Sequence, residues 1–414
     1  MRTDIRLTPQ DVEVRQENAL DLYYSGIKAA ETKQTMTRNL KTFLVDACAD
    51  LLQGSLEQRA QQFVDLTRDD QQKTTHIILA YLARLRERTL LEKSNPSYLN
   101  PSSVPNRIKP IKKLLEMNNL GLGWKRIYST YPAIDNTNQG RGYTREEIKK
   151  LLEYSDGIDT DFIILASSSG GLRVGAWNDV RWSDVFPIYR VNEEYKIDLS
   201  QNESGRIVCA AMRVYRGTTE EYTALVSIEA WQKLEEYKKI WITKMKREPT
   251  DSEPLILERF SKPIGITSIA VKMRIEELLV SSGIRTPLLE GKRRHTVPAT
   301  HGFRRYWNKV MMNSQRKRGT LSALVIKERL MGHGGLVKTD KNYFWADVLD
   351  LVPDYLEAMY DLMINDEERL VQKLEDEKAK SNKLSKANLE KDFALERMHE
   401  LEAKVQRILK YQKI

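Results

Sequence analysis

The stretch Ile207–Ile228, IVCAAMRVYRGTTEEYTALVSI, consists of two apolar runs on either side of a polar turn. The turn is Arg216-Gly-Thr-Thr-Glu-Glu221, and the second run begins at Tyr222. β-Branched and aromatic residues favour extended backbone, and a short polar segment with glycine joins two strands, so this stretch predicts a β-hairpin. The segments around it carry helical spacing. The sequence therefore predicts a mainly α-helical chain with a small β-hairpin or sheet, an α+β fold.

Helical spacing precedes the hairpin over the N-terminal third of the chain. From Glu17 to about Leu122, apolar residues recur three and four positions apart, as at Leu20, Tyr23 and Ile27. We expect residues 1–131 to form a helical bundle. Residues 132–142, PAIDNTNQGRG, are rich in turn formers and contain almost no large apolar side chain, which predicts an interdomain linker.

A second domain is predicted over residues 143–365. Near its start, Thr144 is followed three positions later by Glu147, which is the spacing of a capping box at a helix N-terminus. Further helical segments surround the hairpin. Cys48 and Cys209 are too few for a disulfide framework, and we expect both to be core residues in a reducing compartment.

Residues 366–414 contain no proline or glycine and mix twelve Lys/Arg with eleven Asp/Glu. Small and apolar residues in the second half of this segment alternate at spacings of four and three, the seam of a coiled coil. A solitary charged helix is the alternative; self-association or docking on a partner helix would use the seam. The seam positions are Ala387, Lys391, Ala394, Met398, Leu401, Val405 and Ile408.

Positive charge is concentrated in two parts of the chain, whose formal net charge is +9. Arg285 to Tyr343 holds fourteen Lys/Arg against three Asp/Glu, and Pro96 to Gly142 holds seven against two. Separated basic segments of this kind favour duplex DNA as a partner, because bound phosphates release counterions. No apolar run is long enough for a membrane span, and the N-terminus has no signal-peptide pattern, so we expect a cytoplasmic, DNA-associated protein with no membrane contact.

Three short segments carry residues suited to phosphate chemistry. In His301-Gly-Phe-Arg-Arg-Tyr306, His301 and Arg304 are three positions apart and share one helical face, whereas Arg305 points elsewhere. His333 stands between glycines in Leu330-Met-Gly-His-Gly-Gly335, ten residues before Tyr343. Far upstream, Arg173 lies between glycines in Ser169-Gly-Gly-Leu-Arg-Val-Gly-Ala176.

Together these segments resemble the tyrosine recombinase (phage integrase) family over most of the chain. Gly171-Leu-Arg-Val-Gly is similar to the first arginine box of that family, His301-Gly-Phe-Arg304 to its His-x-x-Arg box, and Met331-Gly-His-Gly with Tyr343 to its Gly-His and tyrosine box. Residues 1–131 would then be the SAM-like core-binding domain and residues 143–365 the catalytic domain. We interpret the chain as the integrase of a mobile genetic element.

The resemblance implies site-specific cleavage and rejoining of duplex DNA with no metal and no cofactor. Tyr343 would attack a scissile phosphate to form a 3′-phosphotyrosyl intermediate, with protomers assembled as dimers or tetramers on paired sites. Arg173, Arg216 and Arg304 would bind the phosphate, and His301 and His333 would donate hydrogen bonds or move protons. Expected contacts to DNA come from Arg107, Lys109, Lys112, Lys113, Arg141, Arg293, Arg294 and Arg305.

The chain departs from the family pattern at the hairpin turn. The family usually places there a lysine that protonates the leaving 5′-oxygen, whereas this chain has Arg216, which stays protonated at ordinary pH and is a poor acid. Lys196 and Lys338 are alternative acids. An acidic residue usual three positions after the first arginine is Ala176 here, and the interval from His333 to Tyr343 is one residue longer than usual.

The same residues are consistent with other functions and with other nucleophiles. The chain could be a catalytically weakened DNA-binding or architectural relative with the same fold, or a type IB topoisomerase-like enzyme that relaxes DNA. Tyr355 or Tyr360 could be the nucleophile in place of Tyr343. A zinc site at His295, His301 and His333 is disfavoured, because no carboxylate or thiolate is spaced to join them.

Overall fold

The predicted hairpin is present in a four-stranded antiparallel sheet. The computed structural model describes residues 18–134, 140–192, 194–200, 204–288, 295–316, 321–332 and 348–411. The hairpin strands pair from Cys209 with Ser227 to Val214 with Tyr222. Two strands that the sequence analysis did not identify complete the sheet, whose order is β2-β1-β3-β4. The strands are β1 (Val185–Val191), β2 (Glu194–Lys196), β3 (Arg206–Val214) and β4 (Tyr222–Ser227).

The described residues divide into two units, one of residues 18–134 with Leu288 and the other of residues 140–287 and 295–411. The N-terminal unit is helical, and its core includes Phe43, whose ring centroid lies 5.2 Å from that of Phe63 and 5.0 Å from that of Tyr81. Cys48 is a free, buried thiol in this core. The helices of this unit are α1 (Ala19–Ser25), α2 (Ala30–Lys41), α3 (Leu56–Asp69), α4 (Gln71–Leu90), α5 (Val104–Met117) and α6 (Trp124–Ser129).

The larger unit surrounds the sheet with helices and adds a short β-hairpin. Its helices are α7 (Arg145–Glu153), α8 (Ile158–Gly170), α9 (Ile228–Met245), α10 (Ser268–Ser281), α11 (Ala299–Arg316), α12 (Leu321–Leu330), α13 (Val348–Leu362) and α14 (Asp366–Tyr411). The added strands are β5 (Leu257–Arg259) and β6 (Lys262–Gly265). The fold class is therefore the predicted one, mainly α with a small antiparallel sheet.

Helix α8 is the central helix of this unit, and residues 162–170 are all buried. An apolar surface on every side of a helix is typical of one enclosed by its neighbours. Its C-terminal end contacts β4, since a Cβ atom on Gly170 would lie 2.9 Å from the side chain of Val226. The sheet and α8 thus form one packed core, which also contains the free thiol of Cys209.

The capping box at Thr144 is confirmed. The amide of Glu147 donates to Thr144 Oγ1 at 3.1 Å, and the amide of Thr144 donates to Glu147 Oε2 at 2.8 Å. Residues just before it, within the predicted linker, are already hydrogen-bonded into the larger unit, as the Arg141 amide donates to the Thr296 carbonyl at 2.9 Å. The linker interpretation of 132–142 stays a prediction, and residues 135–139 lie outside the described part of the chain.

Helix α14 is anchored at its start by a buried carboxylate. Glu229, in the first turn of α9, accepts hydrogen bonds from the amides of Ile364 at 2.9 Å and Asn365 at 2.7 Å. Arg145 pairs with Asp366 at 2.8 Å, and Arg206 pairs with Glu375 at 3.0 Å. The predicted C-terminal helix is therefore continuous with the larger unit over its first turns. None of the helices within the described residues is long and apolar enough to span a membrane.

Candidate active site

Arg173 follows the sharp turn that ends α8. Gly171 has φ +61°, and a Cβ atom at that position would lie 2.8 Å from the indole ring of Trp307, so the turn requires glycine. Leu172 is buried, and Arg173 then begins a short 3₁₀ segment over Val174–Asn178. The side chain of Arg173 is half-buried. A close helix–helix contact thus fixes where the first arginine leaves the core.

Arg304 is buried on α11, with 3% of its surface exposed. One terminal nitrogen of its guanidinium donates to the Gly171 carbonyl at 2.6 Å, and the other donates to the Met331 carbonyl at 2.6 Å. Burial lowers the pKa of Arg304, although an arginine remains charged at ordinary pH. These two bonds fix the guanidinium between the end of α8 and the end of α12.

His301 lies one helical turn before Arg304 on the same face of α11, as predicted. Partial burial lowers the pKa of His301 from its ordinary value of 6.5, and the charges of Arg305, Arg304 and Arg173 lower it further. The charge of Arg173 also lowers the pKa of Arg304. The structure therefore brings together Arg173, His301 and Arg304, and we call this group the cationic cluster.

Two tyrosines that the sequence analysis did not select border the cationic cluster. Tyr215 and Tyr222 lie at the two ends of the hairpin turn, with ring centroids 6.3 Å apart. Burial raises the pKa of each phenol, and Arg173 and Arg304 lower it in both cases. The only sequence signal for them is their position, since one tyrosine ends the first apolar run and the other begins the second.

Arg216 is in the hairpin turn, as predicted, but its side chain binds elsewhere. One guanidinium nitrogen donates to Ser183 Oγ at 3.0 Å and forms an ion pair with Asp184 Oδ1 at 3.3 Å. The Asp184 side chain is 1% exposed, whereas that of Arg216 is 52% exposed. A buried carboxylate needs a partner charge, and Arg216 provides it. Its assignment to the phosphate site stays a prediction.

Lys196 does not fit the alternative role of acid at the hairpin turn. It lies on β2 opposite Tyr189 of β1, and Tyr189 is opposite Ile207 of β3. Ile207 is eight residues before Tyr215, roughly 26 Å along an extended strand. The register thus places Lys196 near the other end of the sheet from the turn. The sequence analysis could not detect this, because it did not identify β1 and β2.

The Gly-His and tyrosine box is described only at its start. Gly332 has φ +62°, and a Cβ atom there would collide with the Tyr222 ring, so the backbone passes directly over that ring. With the Met331 carbonyl bound by Arg304, this segment leaves α12 beside the cationic cluster. Several site predictions lie outside the described residues: His333, Lys338, Tyr343, Arg293 and Arg294.

The two alternative nucleophiles are on α13. The Tyr355 side chain is fully buried, and its hydroxyl donates to the Ser169 carbonyl at 3.1 Å. Burial raises the pKa of this phenol well above its usual value, which disfavours a phenolate. Tyr360 is half-buried, and the Lys373 ammonium lies 5.6 Å from its ring centroid. Tyr355 therefore serves as a core residue.

The side chains on α5 that are predicted to contact DNA differ in the partners of their charged groups. Lys109 is exposed and its ammonium donates to Asn106 Oδ1 at 3.2 Å, and Arg107 donates to Asn39 Oδ1 at 2.9 Å. Lys112 lies over the rings of Trp124 and Tyr128, with its ammonium 5.7 and 5.3 Å from their centroids. The side chain of Lys113 lies close to the backbone of Gly26. Positive charge and aromatic rings thus occur together beside α5.

The side chains of the larger unit that are predicted to contact DNA also have partners within the protein. Arg141 forms a bidentate ion pair with Glu147, with nitrogen–oxygen distances of 2.5 and 2.7 Å, and this pairing raises the pKa of Arg141 and lowers that of Glu147. Arg305 donates to the Gly140 carbonyl. Within the described ranges, no group of three or more His, Cys, Asp or Glu side chains is placed to hold a metal ion.

No family model and no curated protein matches this sequence. Solved structures with similar backbones include a lambda integrase dimer bound to a COC' core site, with 15% identity, a TM-score of 0.47, and coverage of 80% of this chain and 97% of that chain. The Tn1549 transposon integrase with transposon right end DNA has 12% identity, a TM-score of 0.43, and coverage of 82% and 98%. The XerH site-specific recombinase in its post-cleavage difH complex has 13% identity, a TM-score of 0.42, and coverage of 78% of each chain.

Proposed function

We propose that this chain is a site-specific DNA recombinase of the tyrosine type, the integrase of a mobile genetic element. The observation that carries the proposal is the cationic cluster, in which the charges of Arg173 and Arg304, which repel each other, are held together with the imidazole of His301. Positive groups held close together bind an anion, and two guanidiniums match the oxygens of a phosphodiester.

The arrangement suits attack on a phosphate by Tyr343. Charge develops on the non-bridging oxygens during in-line attack, and fixed donors on Arg173 and Arg304 would stabilise it. The lowered pKa of His301 keeps this imidazole neutral near pH 7, so it can accept a proton from the attacking hydroxyl. The products are a 3′-phosphotyrosyl bond to Tyr343 and a free 5′-hydroxyl, which can then attack the corresponding partner strand.

The proposal includes the assembly and location of the protein. The basic surfaces of both units would bind duplex DNA, and protomers would pair on two sites as dimers or tetramers. The seam on α14 would join protomers as a coiled coil. We also infer that the protein is cytoplasmic and associated with DNA, and that it acts without a metal or cofactor.

Covalent trapping tests the proposal. The protein is incubated in chelator with nicked duplexes drawn from the DNA flanking its gene, beside the Tyr343→Phe and Tyr360→Phe variants. We expect a metal-independent adduct that survives denaturation, is absent in Tyr343→Phe and is retained in Tyr360→Phe. Tight, salt-sensitive binding without any adduct would favour the DNA-binding relative, and relaxation of plasmids that lack a paired site would favour the topoisomerase-like enzyme.

A further inference from the structure

Tyr215 occupies an unusual position at the end of β3. It has φ +57°, a left-handed conformation that residues with a side chain rarely adopt. The turn holds it there, since its carbonyl accepts hydrogen bonds from the amide of Thr218 at 3.0 Å and from Thr218 Oγ1 at 2.8 Å. Strained backbone persists where the surrounding structure fixes it, and such positions often belong to functional sites.

The hydroxyl of Tyr215 points to the turn that carries Arg173. It lies 2.9 Å from the place that a Cβ atom on Gly175 would occupy, so a glycine two residues after Arg173 leaves room for the phenol. The charges of Arg173 and Arg304 both act on this hydroxyl, which is half-buried. Tyr215 therefore presents an acidic O–H group to the cationic cluster, beside the residue that replaces the usual lysine.

The cleavage reaction needs such a group. When the bond between phosphorus and the 5′-oxygen breaks, the departing alkoxide must gain a proton. Arg216 cannot release one at ordinary pH, and it is paired with Asp184. A phenol has an ordinary pKa of about 10, and burial raises the pKa of Tyr215, so its hydroxyl keeps its proton at neutral pH and can donate it to an alkoxide, which is a much stronger base.

We propose that Tyr215 is the general acid that protonates the leaving 5′-oxygen. This assignment rests on the proposed function. As Tyr343 oxygen bonds to phosphorus and the bond from phosphorus to the 5′-oxygen breaks, the Tyr215 proton passes to that oxygen, which leaves a 5′-hydroxyl and a Tyr215 phenolate. The guanidiniums of Arg173 and Arg304 stabilise the phenolate. In the rejoining step the phenolate takes the proton back from the attacking 5′-hydroxyl.

The test compares two nicked duplexes that differ in one bridging atom at the scissile phosphate. One has the natural 5′-oxygen, and the other has sulfur there. A thiolate leaves without a proton, because a thiol is a much stronger acid than an alcohol. We expect Tyr215→Phe to form adduct about 10²–10⁴-fold more slowly than wild type on the oxygen substrate, and at close to the wild-type rate on the sulfur substrate.

The sulfur substrate also reports whether the variant is folded and binds DNA. Tyr222→Phe is the matched comparison, since it removes the hydroxyl at the other end of the same turn; its ratio of oxygen to sulfur rates should equal that of wild type. Equal slowing of both substrates by Tyr215→Phe, or slowing of neither, would overturn the assignment while leaving the proposed function intact. If wild type forms no adduct with either substrate, the proposed function fails, and the role of Tyr215 fails with it.

Discussion

Arg304 donates a 2.6 Å hydrogen bond to the carbonyl oxygen of Met331, two residues before His333. Its other terminal nitrogen binds the Gly171 carbonyl, two residues before Arg173. One buried side chain on α11 thus connects the turn that precedes Arg173 with the end of α12. Arg304 therefore holds these two backbone segments in place as well as supplying positive charge, because its planar guanidinium reaches both carbonyls at once.

We expect Arg304→Lys to lower the rate of adduct formation by about 10²–10³-fold, the usual effect of losing one fixed donor at a developing oxyanion. A lysine keeps the positive charge but cannot bridge two carbonyls with the same geometry. Single-turnover kinetics on a nicked duplex measure the rate, and DNA affinity should change much less. Lys309→Arg, an exposed exchange on the same helix, is the control. Wild-type kinetics in Arg304→Lys would contradict this account.

The pKa of His301 should lie below 6.5 in the folded protein and should rise in Arg305→Ala, which removes one of the charges that lower it. Titration of the imidazole Cε1 proton by NMR measures it, with His301→Gln identifying the resonance. Since the folded state then binds this proton less readily than the unfolded state, the contribution of His301 to stability is fully present above pH 6.5 and is lost as pH falls from 6.5 through the lower folded-state pKa. A folded-state pKa at or above 6.5 would show that the imidazole is outside the cationic cluster.

Tyr355→Phe should form adduct at the wild-type rate but unfold more easily. Removing the hydroxyl leaves the buried carbonyl of Ser169 without its 3.1 Å donor, which costs about 1–3 kcal/mol. Urea unfolding measures the loss of stability, and the trapping assay measures the adduct. If the adduct disappears while the fold survives, Tyr355 becomes the nucleophile and the interpretation of Tyr343 is wrong.

Charges placed on the seam of α14 should reduce the assembly state of the protein. Met398 and Leu401 are seam positions, and glutamate at both would place like charges in contact between paired helices. Sedimentation velocity should show a smaller species for the double variant than for wild type. Phe393→Glu is the matched control, because Phe393 is exposed on the same helix but lies off the seam. Equal sedimentation coefficients for all three proteins would favour the solitary helix.

Local sequence patterns predicted the elements whose signals lie within a few residues. The hairpin followed from two apolar runs around a polar turn, and the capping box followed from the spacing of Thr144 and Glu147. Strand β1 was missed because Pro187 interrupts a short run, and proline is uncommon inside strands. Strands of three residues, such as β2, give no periodic signal at all.

The candidate site was predictable only in part, because its members come from distant segments. Motif spacing brought out Arg173, His301 and Arg304, and the structure places them together. The sequence could not reveal that Asp184 would bind Arg216, since this pairing depends on how the 3₁₀ turn Trp182–Asp184 meets the hairpin turn. Nor does any pattern indicate that Tyr215 adopts a left-handed backbone, which directs its side chain to Gly175.

The ion pair of Arg206 with Glu375 marks the point from which α14 extends away from the sheet. It fixes the beginning of α14 to the sheet, so the thirty-six residues from 376 to 411 extend as helix beyond that anchor. At 1.5 Å per residue this length is roughly 54 Å, equal to the rise of about sixteen base pairs of duplex. A continuous helix is a semi-rigid spacer, so the last residues of α14 are held far from the sheet.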